Sequence, residues 1–278
     1  MKQIEKNNFY HKLKNIIPAP IKNIIYKIRS NFQKFKLLRD FYSDLKIFKN
    51  QKKELKDKDF IFGKLYPILE DKYKSSGVMK GGYFHQDLLV AQRIFENNPK
   101  LHVDVGSRID GFVAHVASFR EIEIIDIRPP ENTVKNITFK QLDFMKELPN
   151  SMTSYCDSLS CLHAIEHFGL GRYGDVINYN GHLLGMDNLY RILKKGGILY
   201  FSVPIGEPQQ IMFHAHRIFS VKYLLKKFEG KYFLNNFSYV DDNGDLFENI
   251  KDLNYGTKTA NDSFGCKLGL GIFELEKI

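Results

Sequence analysis

Cysteine is scarce in this chain, and the three that occur exclude two common designs. Cys156, Cys161 and Cys266 stand alone among 278 residues. They have neither the paired spacing of a zinc module nor the density of a disulfide-stapled secreted domain, and two of them fall on an apolar run or at its end. This usage fits a reducing cytoplasm. Long apolar runs are missing as well: no stretch approaches the roughly 20 residues of a membrane span. Lys22 and Lys27 interrupt the only candidate for a signal-peptide core. Repeats and low-complexity tracts are absent too, so a chain of this length is expected to bury one large core with a small accessory region.

A third scarcity is more specific. A dinucleotide-binding turn needs G-x-G-x-x-G, so that the backbone can approach a pyrophosphate. The corresponding turn here is Asp104-Val105-Gly106-Ser107-Arg108-Ile109-Asp110-Gly111, with an acidic residue before the first glycine and a bulky Arg108 where the second would fall. It offers no pyrophosphate cradle, which argues against an NAD-dependent sugar enzyme.

What surrounds that turn is informative. Leu101 to Val105 is a short β-branched run, Gly106 opens a turn, and Phe112, Val113, Val116 and Phe119 recur at helical spacing. Glu121 to Ile125 is a second apolar strand, ended by Asp126 twenty residues after Gly106. A glycine there lets the backbone come close to a ligand, a helix N-terminus presents free N–H groups, and a carboxylate at the next strand tip can accept ribose hydroxyls. The unit is suited to a nucleoside.

These residues resemble the class I S-adenosylmethionine-dependent methyltransferases, whose first motif has the form hydrophobic-Asp-x-Gly-x-x-x-Gly; Arg108 departs from that pattern, and the second glycine, Gly111, falls one place late. Further stretches follow in the same order. Asn136 to Leu142 is a third strand before Asp143 and Phe144, and Tyr155 to Ser160 a fourth that continues into Cys161-Leu162-His163-Ala164-Ile165-Glu166-His167-Phe168. Leu183 to Lys195 has the pattern of an amphipathic helix stopped by Gly196-Gly197. Ile198 to Val203 is a fifth strand, and Lys231 to Tyr239 and Leu270 to Leu275 resemble the final strand pair. The nearest likeness is to uncharacterised methyltransferase-like proteins associated with bacterial surface-polysaccharide genes, in which stretches similar to GSRIDGFVAH and AHRIF occur.

The resemblance covers roughly residues 80 to 278. It implies a Rossmann-like α/β fold with a mostly parallel seven-stranded sheet and helices on both faces. It also implies S-adenosyl-L-methionine as cofactor. Asp104, Gly106, Ser107 and Arg108 would form the turn around its methionine part, Asp126 would hold the ribose, and Asp143 and Phe144 the adenine. Tyr83 and Gln86, ahead of the first strand, would close the pocket. Asp104 has a plainer alternative as a hydrogen-bond anchor of the turn, and Asp126 as an ordinary strand-end carboxylate.

Methyl transfer is an in-line displacement, so a protein must align donor and acceptor and, for a hydroxyl, take a proton. Histidine suits that task near neutral pH. The candidates are His163, with Glu166 and His167 beside it, and His216 after the fifth strand. His214 and Arg217 are expected to contact an acceptor bearing hydroxyls or phosphate, the alternative being that His216 and Arg217 cap a helix starting near Ser220. His163 to His167 also matches H-x-x-E-H, an inverted zinc-protease motif. Its position directly after a buried strand ranks zinc hydrolysis well below the methyltransferase reading, and no resident metal is expected. The acceptor class that follows is a saccharide, a nucleotide sugar or a lipid-linked saccharide. A rival of another class is a nonenzymatic methyltransferase-like subunit that assembles glycan-making proteins at a membrane.

Charge is divided unevenly. Residues 1 to 60 carry sixteen Lys and Arg against six Asp and Glu, a balance of +10, whereas the remainder is at −1. Ile21, Ile24, Ile25, Ile28, Phe32, Phe35, Leu38, Tyr42, Leu45 and Phe48 form one apolar stripe on a helix beginning at Pro20. A basic helix with an aromatic-rich face is expected on an anionic membrane surface, here the inner face. Packing on the catalytic domain or on a second subunit is the competing expectation. Nucleic acid ranks last, since the charge is confined to one segment and no nucleic-acid module is present. Lys49 to Asp59 is expected as a charged linker, dividing a helical arm (1–59) from an α/β domain (60–278).

Overall fold

The apolar runs of the sequence become the strands of one sheet, and the glycine turn becomes the end of its first strand. The computed structural model describes residues 19–56, 58–254 and 256–278. The chain divides into two compact units, Met1–Val78 and Met79–Ile278, so the boundary lies nineteen residues beyond the expected one.

In the first unit, helix α1 runs Ala19–Leu55. The segment expected as a linker from Lys49 is helical to Leu55, because it holds Lys, Gln, Glu and Leu with no glycine or proline to stop it. Residues 60–78 then belong with the helix. Tyr73 donates to Asp40 at 2.9 Å, Lys72 pairs with Asp44 at 2.7 Å, and Phe62 meets Phe48 edge-on. Phe32, Phe35, Tyr42 and Phe48 are each more than half exposed. The side chains of Ile21, Ile24, Ile25 and Ile28, the first part of the expected stripe, lie outside the described residues. Among the described residues, no helix is long and apolar enough to cross a membrane.

The second unit opens with helix α2 (Gly82–Asn97). Strand β1 (His102–Val105) leads through the turn into a π-helical stretch, Ile109–Val113, and the short helix α3 (Ala114–Ala117). Strands β2 (Ile122–Asp126), β3 (Ile137–Gln141) and β4 (Cys156–Leu162) follow. Helix α4 (Gly181–Ile192) passes directly into β5 (Leu193–Ile205). A small hairpin of β6 (Gln210–Met212) and β7 (His216–Ile218) precedes helix α5 (Val221–Phe228). Strands β8 (Tyr232–Val240) and β9 (Leu246–Phe247), helix α6 (Lys258–Asn261) and β10 (Gly269–Lys277) complete it.

The main sheet has the order β3-β2-β1-β4-β5-β10-β8-β9. Strands β3, β2, β1, β4 and β5 are mutually parallel, whereas β10 runs antiparallel to both β5 and β8. The sheet is the expected mostly parallel Rossmann-like type, with eight strands in place of seven. The extra member, β9, is two residues long and pairs with β8 at the edge. Two apolar cores cover the faces. One gathers Phe144, Leu189, Phe201, Phe219, Phe228 and Phe273, and the other Ile94, Phe112, Val116, Ile122 and Tyr200. Strand order reverses between β1 and β4, and in open α/β sheets ligands bind outside the carboxyl ends of the strands at such a point.

Candidate active site

A cavity of about 810 Å³ opens at this reversal, lined from the tips of β1, β2, β4 and β5 and from the start of β10. Its floor is the glycine turn. Gly106 has φ +70°, and a Cβ there would press on the Cβ of Ala164 at 3.1 Å, so both backbone conformation and space favour glycine. Its N–H donates to the Ile125 carbonyl, which fastens the turn to β2.

Asp104 and Ser107 are spent on building that turn. Asp104 is buried and accepts from the Ser107 N–H at 3.0 Å, from the Ser107 hydroxyl at 2.5 Å and from the Ser160 hydroxyl at 2.5 Å. The Ser107 oxygen also accepts from the Leu162 N–H. On the far side of Ser160 the buried ring of His102 reaches Ser158 and Ser160 at 2.8 and 3.1 Å. Burial raises Asp104 to about 6 and lowers His102 to about 3. Asp104 and Ser107 line the cavity, as expected of cofactor residues, and at the same time form a polar weld between β1 and β4.

Gln86, by contrast, is reassigned. It lies 1 % exposed, donates to Asp87 at 2.8 Å and accepts from the Ser202 hydroxyl, and it does not line the cavity. Asp87 in turn explains the late glycine of the turn: a Cβ on Gly111 would collide with the Asp87 carboxylate.

The other residues expected at the cofactor also face the cavity. Asp126 lies at the tip of β2, Asp143 and Phe144 follow β3, and Tyr83 stands opposite, its ring 4.8 Å from that of His163. Arg108 also lines it but turns to Asp110 at 2.6 Å, with its head group 5.6 Å from the Tyr83 ring. Asp126 accepts from the Arg128 N–H, Nε and Nη2 at 2.8, 3.2 and 3.2 Å. A carboxylate offers about four acceptor directions. Holding a diol therefore requires Arg128 to yield at least one of its bonds.

The chemistry gathers beyond β4. His163 has φ +52°, an uncommon conformation for a non-glycine residue, and is held there by its N–H to the Ser202 carbonyl at 3.0 Å. Its Nδ1 lies 2.9 Å from Oε1 of the fully buried Glu166, at hydrogen-bonding distance though off hydrogen-bonding alignment. The same oxygen is 3.6 Å from His167 Nε2. His216, the first residue of β7, also lines the cavity, and its Nε2 is buried without a hydrogen-bond partner among the described residues. Burial lowers the pKa of both His167 and His216, against the raising influence of Glu166. Residues 165–167 form a single 3-10 turn, so the two histidines of H-x-x-E-H do not share one α-helical face. Glu166 stands between them, and among the described residues no group of His, Cys, Asp and Glu is arranged to hold a metal.

His214 and Arg217, expected at the acceptor, do not line the cavity. His214 sits in the β6–β7 turn. Arg217 is 3 % exposed and donates to the carbonyls of Glu166, Phe168 and Tyr179 at 3.2, 2.6 and 3.1 Å. It holds together the two ends of a loop, residues 169–180, that the sequence reading passed over. Asp175 ties this loop internally, accepting from the N–H groups of Gly169, Gly171 and Tyr173. A Cβ on Gly169 would strike the Asn178 carbonyl. From this compact loop Arg172, Tyr173 and Asp175 line the cavity, and Arg128 lies 4.2 Å over the Tyr173 ring. The signal was present as Gly169-Leu170-Gly171-Arg172-Tyr173-Gly174-Asp175, a glycine-punctuated polar stretch right after the histidines. For Arg128 there was none beyond its nearness to Asp126.

Sheet order and cavity define an open α/β protein with a cavity at the strand reversal. Within that class, a family profile matches residues 116–261, and the chain belongs to this family, described as Caenorhabditis protein of unknown function, DUF268. No curated protein matches the sequence. Among solved structures the chain is similar to the N-methyltransferase NodS from Bradyrhizobium japonicum WM9 in complex with S-adenosylhomocysteine, at 10% identity over 82% of this chain and 97% of that one, TM-score 0.46. It is also similar to the 1,6-didemethyltoxoflavin-N1-methyltransferase of Burkholderia thailandensis, at 9% identity over 69% and 78% of the two chains, TM-score 0.48. A third is the [4+2]-cyclase SpnF, at 15% identity over 69% and 80%, TM-score 0.47. Two of these are methyltransferases and one a cyclase.

Proposed function

We propose that the protein is an S-adenosylmethionine-dependent methyltransferase acting on a hydroxyl of a saccharide or saccharide precursor. The observation that carries this reading is the placement of His163, backed by buried Glu166, on the same cavity as the Gly106 turn and Asp126. The residues suit the cofactor: a glycine turn that a side chain would obstruct, a carboxylate at the β2 tip, and the apolar wall of Phe144. When bound, the cofactor supplies an electrophilic methyl group. Gly106 would give it backbone access, Asp126 would accept ribose hydroxyls once Arg128 released part of its hold, and Phe144 would pack on the base.

His163 acts as general base. With Nδ1 turned to Glu166, Nε2 is the nitrogen left to take the acceptor's proton, and the buried carboxylate orients the ring and favours the imidazolium that forms. His216, which lacks such an orienting partner, is the weaker candidate. The saccharide acceptor is supported by the resemblance to proteins of surface-polysaccharide gene sets. Nucleotide-linked and lipid-linked sugars belong to the same class. The arm's exposed aromatics and its balance of +10 support attachment to an anionic membrane, where a lipid-linked acceptor would be met.

Calorimetry with S-adenosylmethionine, S-adenosylhomocysteine and NAD on the purified protein tests the cofactor. Binding of the first two and not of NAD is expected, and the reverse pattern overturns the reading.

A further inference from the structure

We propose that Arg172 is the anion-recognition residue of the acceptor subsite, so that the molecule bearing the methylated hydroxyl also bears a carboxylate or a phosphate. This rests on the methyl-transfer reading above and narrows its substrate.

The other guanidinium groups of the region are already committed. Arg108 is paired with Asp110, Arg128 grips Asp126 through Nε and Nη2, and buried Arg217 is spent on three carbonyls. Arg172 differs. Its Nη1 donates to the Ala215 carbonyl at 3.1 Å, its head group lies 5.1 Å from the Tyr173 ring, and no carboxylate pairs with it among the described residues. Its nearest acidic neighbour in the sequence, Asp175, is already engaged by three backbone N–H groups.

This uncommitted cation stands at the catalytic end. The carbonyl that anchors it is also bonded to His167 Nδ1, at 2.6 Å. Burial lowers the basicity of His167 and His216, and the Arg172 charge acts in the same direction on both. Loop 169–180 is pinned by Asp175 and Arg217, so little order has to be imposed on the arginine when a ligand arrives. A guanidinium is a planar fork of donors matched to carboxylate and phosphate oxygens, and these charge-assisted bonds are roughly twice as strong as neutral ones. A neutral sugar would leave that fork facing hydroxyls alone. A sugar acid or sugar phosphate would complete it while its hydroxyl lies at His163.

The test uses the full-length protein saturated with S-adenosylhomocysteine, titrated calorimetrically with glucose, glucuronate and glucose 6-phosphate. The wild-type protein is expected to bind at least one of the two anionic sugars about tenfold or more tighter than glucose. Whichever is preferred identifies carboxylate or phosphate as the group read. Arg172→Gln should abolish the preference with S-adenosylhomocysteine affinity unchanged, and Arg172→Lys should restore part of it if phosphate is the group. Equal affinity for all three sugars overturns the proposal. So does a loss in Arg172→Gln that falls on S-adenosylhomocysteine, since Arg172 would then serve the cofactor. Failure of the wild-type protein to bind S-adenosylhomocysteine, seen before any sugar is added, removes the methyl-transfer reading and this inference with it.

Discussion

At the tips of β1 and β2, the polar side chains are bonded mostly to one another: Asp104 to two serines, Ser107 to β4, Asp126 to Arg128. At the tip of β4 they are left partly unmatched. Glu166 is buried among histidines without an aligned hydrogen bond, His216 keeps a buried nitrogen without a partner among the described residues, and Arg172 has no carboxylate there. The first arrangement makes a stiff floor whose shape is set during folding. The second holds unsatisfied groups close together, which costs stability and is found where groups are to meet a ligand or a moving proton.

The contrast is broken most forcefully at His163. His163→Ala should lower turnover by about two to four orders of magnitude with cofactor affinity largely retained. Single-turnover methylation together with S-adenosylhomocysteine titration checks this, and normal turnover in both His163→Ala and His216→Ala would move the proton to another group or to water. On the floor the effect should be on binding. Asp126→Ala removes bonds to a carboxylate worth about 1.5–3 kcal/mol each and should weaken S-adenosylhomocysteine by roughly tenfold or more. An unchanged affinity in a folded variant rules the ribose role out. Gly106→Val should lose binding altogether, through the approach of Ala164 and the positive φ.

A smaller effect tests the floor as a proton inventory. Asp104, raised to about 6, favours the folded state below the usual carboxylate range and loses that contribution as pH climbs from about 4 through 6. His102, lowered to about 3, works oppositely: its contribution is present above its ordinary 6.5 and is lost as pH falls toward 3. Between pH 4 and 6 the two offset each other. Asp104→Asn should therefore make stability rise with pH more steeply than in the wild-type protein, by up to about 1.4 kcal/mol per pH unit. Urea unfolding at pH 4.5 and 5.5 measures it, and parallel slopes would disprove it.

The arm should matter least to the cavity. Removing residues 1–78, the whole first unit, should release the protein from anionic vesicles and leave S-adenosylhomocysteine affinity as it was. Added salt should weaken attachment of the full chain, because each basic residue near such a surface contributes about 1 kcal/mol. A full chain that ignores anionic vesicles at low salt leaves the arm as a protein-interaction helix.

Period and punctuation made the parallel strands legible, along with the residues at their tips, since Asp126, Asp143 and His163 follow apolar runs by position alone. What was not legible depended on partners distant in sequence. Gln86 has the composition of a pocket residue, yet Ser202, 116 positions away, claims it. Arg217 reads as a surface cation until three carbonyls of another loop surround it. Lys194 and Lys195 continue a helical pattern, but the helix ends at Ile192 because Leu193 already pairs with Cys156 of β4. Tertiary pairing overrode local propensity at each of these sites.

Strand β10 carries a consequence for assembly. It is the last strand of the sheet to be synthesised, yet it lies between β5 and β8, and Leu268, Gly269 and Leu270 at its start form part of the cavity wall. Until it arrives, β5 and β8 each present an open edge, the kind of surface that recruits other chains. The nascent protein therefore holds most of its β-structure as two separated pieces, and the cavity closes only when a single late strand joins them. Loss of residues 269–278 would remove this joint along with one wall of the cavity.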